Sequence, residues 1–440
     1  MSLALGSLVC PNPDLHLTVE IALATTSTDY AIWDVARWDI STWGPDEIWT
    51  DVSDYVRSIK TSRSFADDWM TWRTGTCTVV LNNVDGRFSP SNLAGPYAPG
   101  GITQLIPGRP IRATLTHGGT TYPLFYGRIT PAWVEGFQMY GPRTGDAIVT
   151  IDCCDPWRDI CTLPALAAVT PVGAGEKFGA RISRILTAAG YIGSTDLDEG
   201  MVTLQATDLS AKPEEELTDT VASEGGTIHV DAAGTLIGRG RYALGERPRS
   251  ITPQITWGDG GGTEVPGKEI STSPFTLDNL INIAAYTRIG GTQQLHRDEA
   301  SIALYGPYAD DSSWADKLLC EFDSDVLTLA QWATVRTPPE ISVETLTAKP
   351  FCVPGVLHEI LDSQMLDLHS VVIRPPSAYA HTISRECFVM GISWDISDGD
   401  VTVKYTYAPA GMYRPYALSR WDVGLWGADD NDPNGARWFF

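Results

Sequence analysis

Basic residues are few in this chain: Lys and Arg number 31 against 54 Asp and Glu, a formal net charge of -23 over 440 residues. A nucleic-acid binder needs a basic face to displace counterions, so this balance excludes a dedicated one. Long apolar runs are missing as well. No stretch approaches the roughly 18 apolar residues of a membrane span. The opening MSLALGSLVCPNPD lacks the basic segment of a signal peptide or lipoprotein leader, so secretory export is not expected. The eight cysteines include no C-x-x-C pair and the seven histidines fall without ligand spacing, so no metal site is expected. Cys77 reads as a small core residue, and Cys153-Cys154 as one buried and one outward thiol at a strand end.

Catalytic signatures are absent too: there is no G-x-S-x-G, no H-E-x-x-H, and no S-x-x-K with its partner motifs. Gly258-Asp259-Gly260-Gly261-Gly262 is rich enough in glycine for a phosphate loop but is not followed by Lys-Ser/Thr or a helix pattern, and reads as a linker. Asp430 to Gly435 matches the first six positions of a calcium loop, yet Pro433 and the missing glutamate at position twelve make it a turn. The expectation is a protein that is not an enzyme and carries no cofactor or metal. With 43% apolar and 19% charged residues the chain is globular, and long enough for two to four domains.

What is present is β-pattern in two blocks. From Val19 to about Asp155, alternating strands are separated by turn signals. Cys77, Val79 and Leu81 share one face before a hairpin turn at Asp85-Gly86; Ile111, Ala113 and Leu115 precede a turn at His117-Gly118-Gly119, after which Tyr122, Leu124 and Tyr126 alternate back. Such spacing predicts a barrel or sandwich. Beyond Pro164 the period changes. Phe178, Ile182, Ile185, Leu186 and Ala189 form a helical stripe stopped by Gly190, a second helix runs from Pro213 to a stop at Gly225, and a hairpin turns at Asp231 to Gly234. β-pattern returns in LINIAAYTRI and ASIALYG, one more helix is predicted over Asp325–Arg336, and strands follow in HSVVIRP, ECFVMGISWDI and DVTVKYTYAP. The predicted class is mainly β with an α+β insertion. Its parts are an N-terminal β-barrel-like domain (1–163), the α+β insertion (164–250), a Gly-rich linker (251–277), a second β-rich domain with one helix (278–409) and an aromatic, acidic tail (410–440).

Fifteen tryptophans are many for this length, and several stand in turn-rich text. Arg37-Trp38-Asp39-Ile40 leads to Trp43-Gly44, and Arg420-Trp421-Asp422-Val423 leads to Trp426-Gly427, the same phrase twice. Period five aligns the rings on neither helix nor strand, so each phrase reads as a compact loop anchored by tryptophan, its Asp bonding the turn. Two readings stand side by side, a clamp on the chain's own domain and an anchor on a neighbouring subunit, with a sugar-stacking platform as a third.

The stretch from Asp46 to Asn92 resembles the N-terminal region of minor tail proteins of siphophages that infect actinobacteria, through Trp49, Asp51, Val52, Val56, Gly75, Thr76, Val79, Leu81, Asp85, Arg87, Phe88 and Pro90. Pro123 to Ile129, the helix-hairpin ASEGGTIHVDAAGTLIGRGR, DNLINIAAYTRIGG, DEASIALYGPY and VMGISWDI continue the likeness in order, from about Val19 to Pro409. The resemblance implies a virion protein, made in the host cytoplasm, that acts as a structural tail-tip or baseplate hub. A homotrimer with two β-barrel domains per subunit would join the sixfold tail tube above to threefold tip, spike or fibre proteins below. Phage DNA would pass without specific binding, through a lumen whose acidity repels phosphate. On that reading Arg37, Trp38, Asp39, Trp43, Trp49, Arg420, Trp421, Asp422 and Trp426 are the expected interface residues. The alternative is a receptor- or carbohydrate-binding adhesin that uses the same tryptophan loops.

Overall fold

The computed structural model describes residues 15–23, 49–66, 72–137, 146–166, 175–272, 277, 280–334, 342–350, 357–375, 381–397 and 400–413. In the N-terminal part the strands are β1 (Leu15–Ala22), β2 (Trp49–Asp51), β3 (Val56–Phe65), β4 (Trp72–Asn82), β5 (Pro110–His117), β6 (Thr120–Phe137) and β7 (Ala147–Cys154), followed by helix α1 (Pro156–Thr162). The middle comprises β8 (Glu176–Lys177), α2 (Phe178–Ala188), β9 (Thr195–Leu197), β10 (Thr203–Leu204), α3 (Pro213–Glu224), β11 (Thr227–Val230), β12 (Leu236–Arg239), α4 (Ala243–Glu246) and α5 (Pro248–Ile251). The remainder is β13 (Ile255–Trp257), β14 (Glu269–Thr272), β15 (Ile283–Tyr286), β16 (Gln294–Arg297), α6 (Glu299–Tyr305), α7 (Asp323–Thr334), β17 (Val343–Ala348), α8 (Leu357–Leu361), β18 (Leu368–Ile373), β19 (Ile383–Ser397), β20 (Asp400–Pro409) and α9 (Ala410–Tyr413).

The predicted class holds, mainly β with an α+β part. One antiparallel path runs β14-β17-β20-β19-β3-β4-β7-β6-β5-β1-β2, with β18 and β13 attached at β19. Among the described residues neither half closes into a barrel, because the halves meet each other instead. One edge of β19 pairs with β20 over Cys387–Ser397, while the opposite edge is divided: β18 takes Ile383–Phe388 and β3 takes Gly391–Ser397. A register shift between Val389 and Gly391 marks the changeover. Most of the apolar core is one cluster running from Leu15 to Ala410.

The α+β part follows its periodicity. Phe178, Ile182, Ile185 and Leu186 are all buried on α2, Pro213 opens α3, and Gly225 ends it in the left-handed conformation. The β11–β12 turn is tied by Asp231, whose side chain accepts from the N–H groups of Ala233 and Thr235.

Four expectations need correction. Asp85-Gly86 does turn, but no strand returns from it: residues 83–109 form a long loop held by buried Phe88, whose N–H donates to the Asn83 side chain and whose carbonyl accepts from Trp133 Nε1. The β5–β6 hairpin turns on Gly118-Gly119, both at positive φ, but a bulge between Ala113 and Thr114 shifts the alternation, so Phe125 faces the core and Tyr126 does not. ASIALYG is helix α6, not a strand, because Asp298 caps it by accepting from Ser301 N–H. The Gly-rich stretch 251–277 carries β13 and β14, so it is built into the sheet. LINIAAYTRI does supply a strand, β15, which with β16 and α7 encloses a second core with Leu318, Leu319 and Cys320, reached by Val202 and Leu204 from the middle part.

Candidate functional site

Of the expected interface residues, Arg37, Trp38, Asp39, Trp43, Arg420, Trp421, Asp422 and Trp426 lie outside the described residues. Trp49 lies within them. It opens edge strand β2 opposite Ala22, with the Arg112 guanidinium 4.3 Å from its ring centre and the Tyr126 ring 6.3 Å away. Arg112 in turn donates to Glu20 at 2.6 Å. Cation and ring hold the sheet margin together, which gives Trp49 a contact within its own domain.

The most elaborate polar construction lies where the two β halves and the α+β part meet. Phe65 at the end of β3, Trp72 at the start of β4 and His229 on β11 form a triangle of rings, 5.2 Å, 5.6 Å and 5.7 Å apart between centres. Asp155 sits beneath them, accepting from Gly75 N–H at 2.8 Å, Trp72 Nε1 at 3.3 Å and Trp157 N–H at 3.1 Å. Burial pushes its carboxyl up to about 7 against these hydrogen bonds. Gly75 is required here: a Cβ on it would stand 2.7 Å from Asp155 Oδ2 and 3.0 Å from Arg63 Cγ.

Next to the triangle of rings, sharing His229, opens a cleft of about 410 Å³. Arg63 comes to it from β3, His229 and Arg239 from the α+β sheet, Arg247 and Arg249 from the α5 region, and Asp362 and Asp367 from the second β half. Arg239 pairs with Asp196 and Asp198, and Arg247 with Asp198. Arg249 forks onto Asp362 and Asp367, both at 2.6 Å, and so ties α5 to the segment between α8 and β18. The Tyr122 hydroxyl meets His358 Nδ1, a second tie between the halves. Burial lowers His229 to about 3, with Arg239, Arg63 and Arg247 adding to the effect, and burial also lowers Arg63 to about 10. None of these residues stands out in the sequence, since they come from positions 63, 229, 249 and 367 and share no motif.

A smaller cavity of about 100 Å³ is walled in part by Trp72, Trp157, Trp314 and Trp332. It is too small for a sugar ring in a normal ligand pocket, which takes roughly 300 Å³ or more. Among the described residues no group of His, Cys, Asp and Glu could hold a metal ion, and no helix is long and apolar enough to cross a membrane.

No protein-family model and no curated protein sequence matches the chain. Solved structures do. The 43 kDa tail protein of prophage MuSo2 from Shewanella oneidensis superposes over 90% of this chain and 97% of its own, with a TM-score of 0.54 and 12% identity. A tail protein from Neisseria meningitidis does so over 91% and 98%, with a TM-score of 0.55 and 12% identity. The chain has the fold of a phage tail protein. In this tail-protein fold the cleft stands at the junction of all three parts, and nearly the whole length of each related structure is represented.

Proposed function

We propose that the protein is a structural, non-catalytic subunit of a phage tail tip, a baseplate hub that assembles as a closed threefold ring. Each subunit presents two β-rich halves, so three subunits offer six comparable surfaces to a sixfold tail tube on one side. On the other side the same ring keeps threefold symmetry for tip, spike or fibre proteins. The observation that carries the reading is the joining of two antiparallel halves through β19 and β3, in a chain whose fold matches tail proteins over about nine-tenths of its length. The excess of carboxylates supports a DNA conduit, since a negative lumen repels phosphates. The two tryptophan phrases are proposed as docking loops on neighbouring subunits.

A rotationally averaged reconstruction of the intact tail tip tests this directly: three copies are expected, and six copies or a lone subunit would overturn the ring. Trp43→Ala and Trp426→Ala are expected to leave the isolated subunit folded and to impair tail assembly. A core-like loss of about 3 to 5 kcal/mol in the isolated subunit would make both phrases internal clamps.

A further inference from the structure

Two residues that line the junction cleft each carry a buried polar atom without a hydrogen-bond partner: Nε of Arg63 and Nδ1 of His229. Arg63 is only 5% exposed. The other three arginines of the cleft are each matched to aspartates, Arg239 and Arg247 on the α+β side and Arg249 on the second β half. Asp231 and Asp155 attract Arg63 through space, but no hydrogen bond joins either of them to its Nε, and their oxygens accept from other donors. Asp231 ties its own turn, and Asp155 accepts from Gly75, Trp72 and Trp157. A guanidinium N–H held out of water without an acceptor is costly, and an acceptor that reaches it offsets that cost.

We propose that this cleft is a binding site for a singly charged carboxylate, received by the Arg63 guanidinium where the two β halves and the α+β part converge. The planar fork of arginine matches a carboxylate, and His229 offers a second polar atom on the same wall. The cleft has room for a small acid or for one acidic side chain. Its walls also carry Asp231, Asp362 and Asp367, whose charges disfavour a doubly charged phosphate. Because the contributing residues come from all three parts of the chain, an occupied cleft holds those parts to one another, and binding reads out as resistance to unfolding.

The test uses the full chain in thermal melts, with propionate and a short blocked Gly-Glu-Gly peptide as the two sources of a singly charged carboxylate, and chloride at matched ionic strength as the control. Either carboxylate, well above its dissociation constant, is expected to raise the melting midpoint by about 2 °C or more. Which of them does so identifies a free acid or a presented side chain as the natural source. Arg63→Met is expected to abolish the response and, with an unsatisfied buried donor removed, to melt no lower than the unliganded wild type. Should that variant fail to fold, Arg63→Lys keeps the charge but loses the fork, and its response is expected to weaken. No rise with either carboxylate in the wild type, an equal rise in Arg63→Met, an undiminished one in Arg63→Lys, or a larger rise with inorganic phosphate would overturn the proposal.

Discussion

Asp155 serves three donors with two oxygens, joining the start of β4 to the first turn of α1. Its burial has a consequence that can be measured. The folded carboxyl is raised to about 7, while an unfolded aspartate titrates near 4. The folded chain therefore keeps a proton that the unfolded chain releases. The stability this contributes is full below about pH 4 and is lost as pH rises through 7. Asp155→Asn keeps an acceptor and cannot ionise. Urea unfolding at several pH values is expected to show the stability of wild type relative to Asp155→Asn falling by about 2 to 4 kcal/mol between pH 4 and 8. A constant difference across that range would mean that the carboxyl titrates as an ordinary surface group.

At the level of strands and helices, much was legible in the sequence, and the exceptions have identifiable causes. Helical stripes followed by a glycine at positive φ, as in α2 and α3, are local signals and appear where periodicity puts them. Tyr126 turned away from its expected face because a bulge is a property of two paired strands, visible in neither alone. ASIALYG carries Ile302 and Tyr305, but Asp298 ahead of it and its own final Gly306 supply helix ends, and the short segment obeys its ends. The cleft was illegible for a different reason: four sequence-distant segments build it, and no spacing records their meeting. The central joint is testable at this scale. Ser393 of β19 stands between Ser62 of β3 and Lys404 of β20, so a proline there breaks a ladder paired on both sides. Ser393→Pro is expected to cost about 3 kcal/mol or more in denaturant unfolding. Ser393→Thr, which suits a strand and keeps the hydroxyl facing Ser62 Oγ at 3.0 Å, is expected to unfold within about 1 kcal/mol of wild type.

In the whole molecule, the Arg249 fork is a side-chain tie between the α+β part and the second β half, made of four hydrogen bonds to Asp362 and Asp367. Asp367 has a side chain only 3% exposed, so removing Arg249 strands a buried carboxylate. Arg249→Met is expected to lower stability by about 2 to 3 kcal/mol, and Arg249→Met with Asp367→Asn to recover part of that loss. If the double variant is as unstable as the single, packing of the arginine stem and not the charge pair sets the cost. The joint between β3 and β19 also bears on how the chain is made. Ser62 and Ser393 meet across 331 positions of sequence. On a ribosome adding roughly 5 to 20 residues per second, β3 would wait about 15 to 65 s for its partner to emerge. An open strand edge of that lifetime invites pairing with another nascent chain. The strand reads VRSIKTSRSF, with Arg57, Lys60 and Arg63 spaced along a run of serine and threonine. Charges on an edge strand discourage the wrong neighbour, so Lys60 and Arg63, which later stand opposite β19, also guard the edge until it arrives.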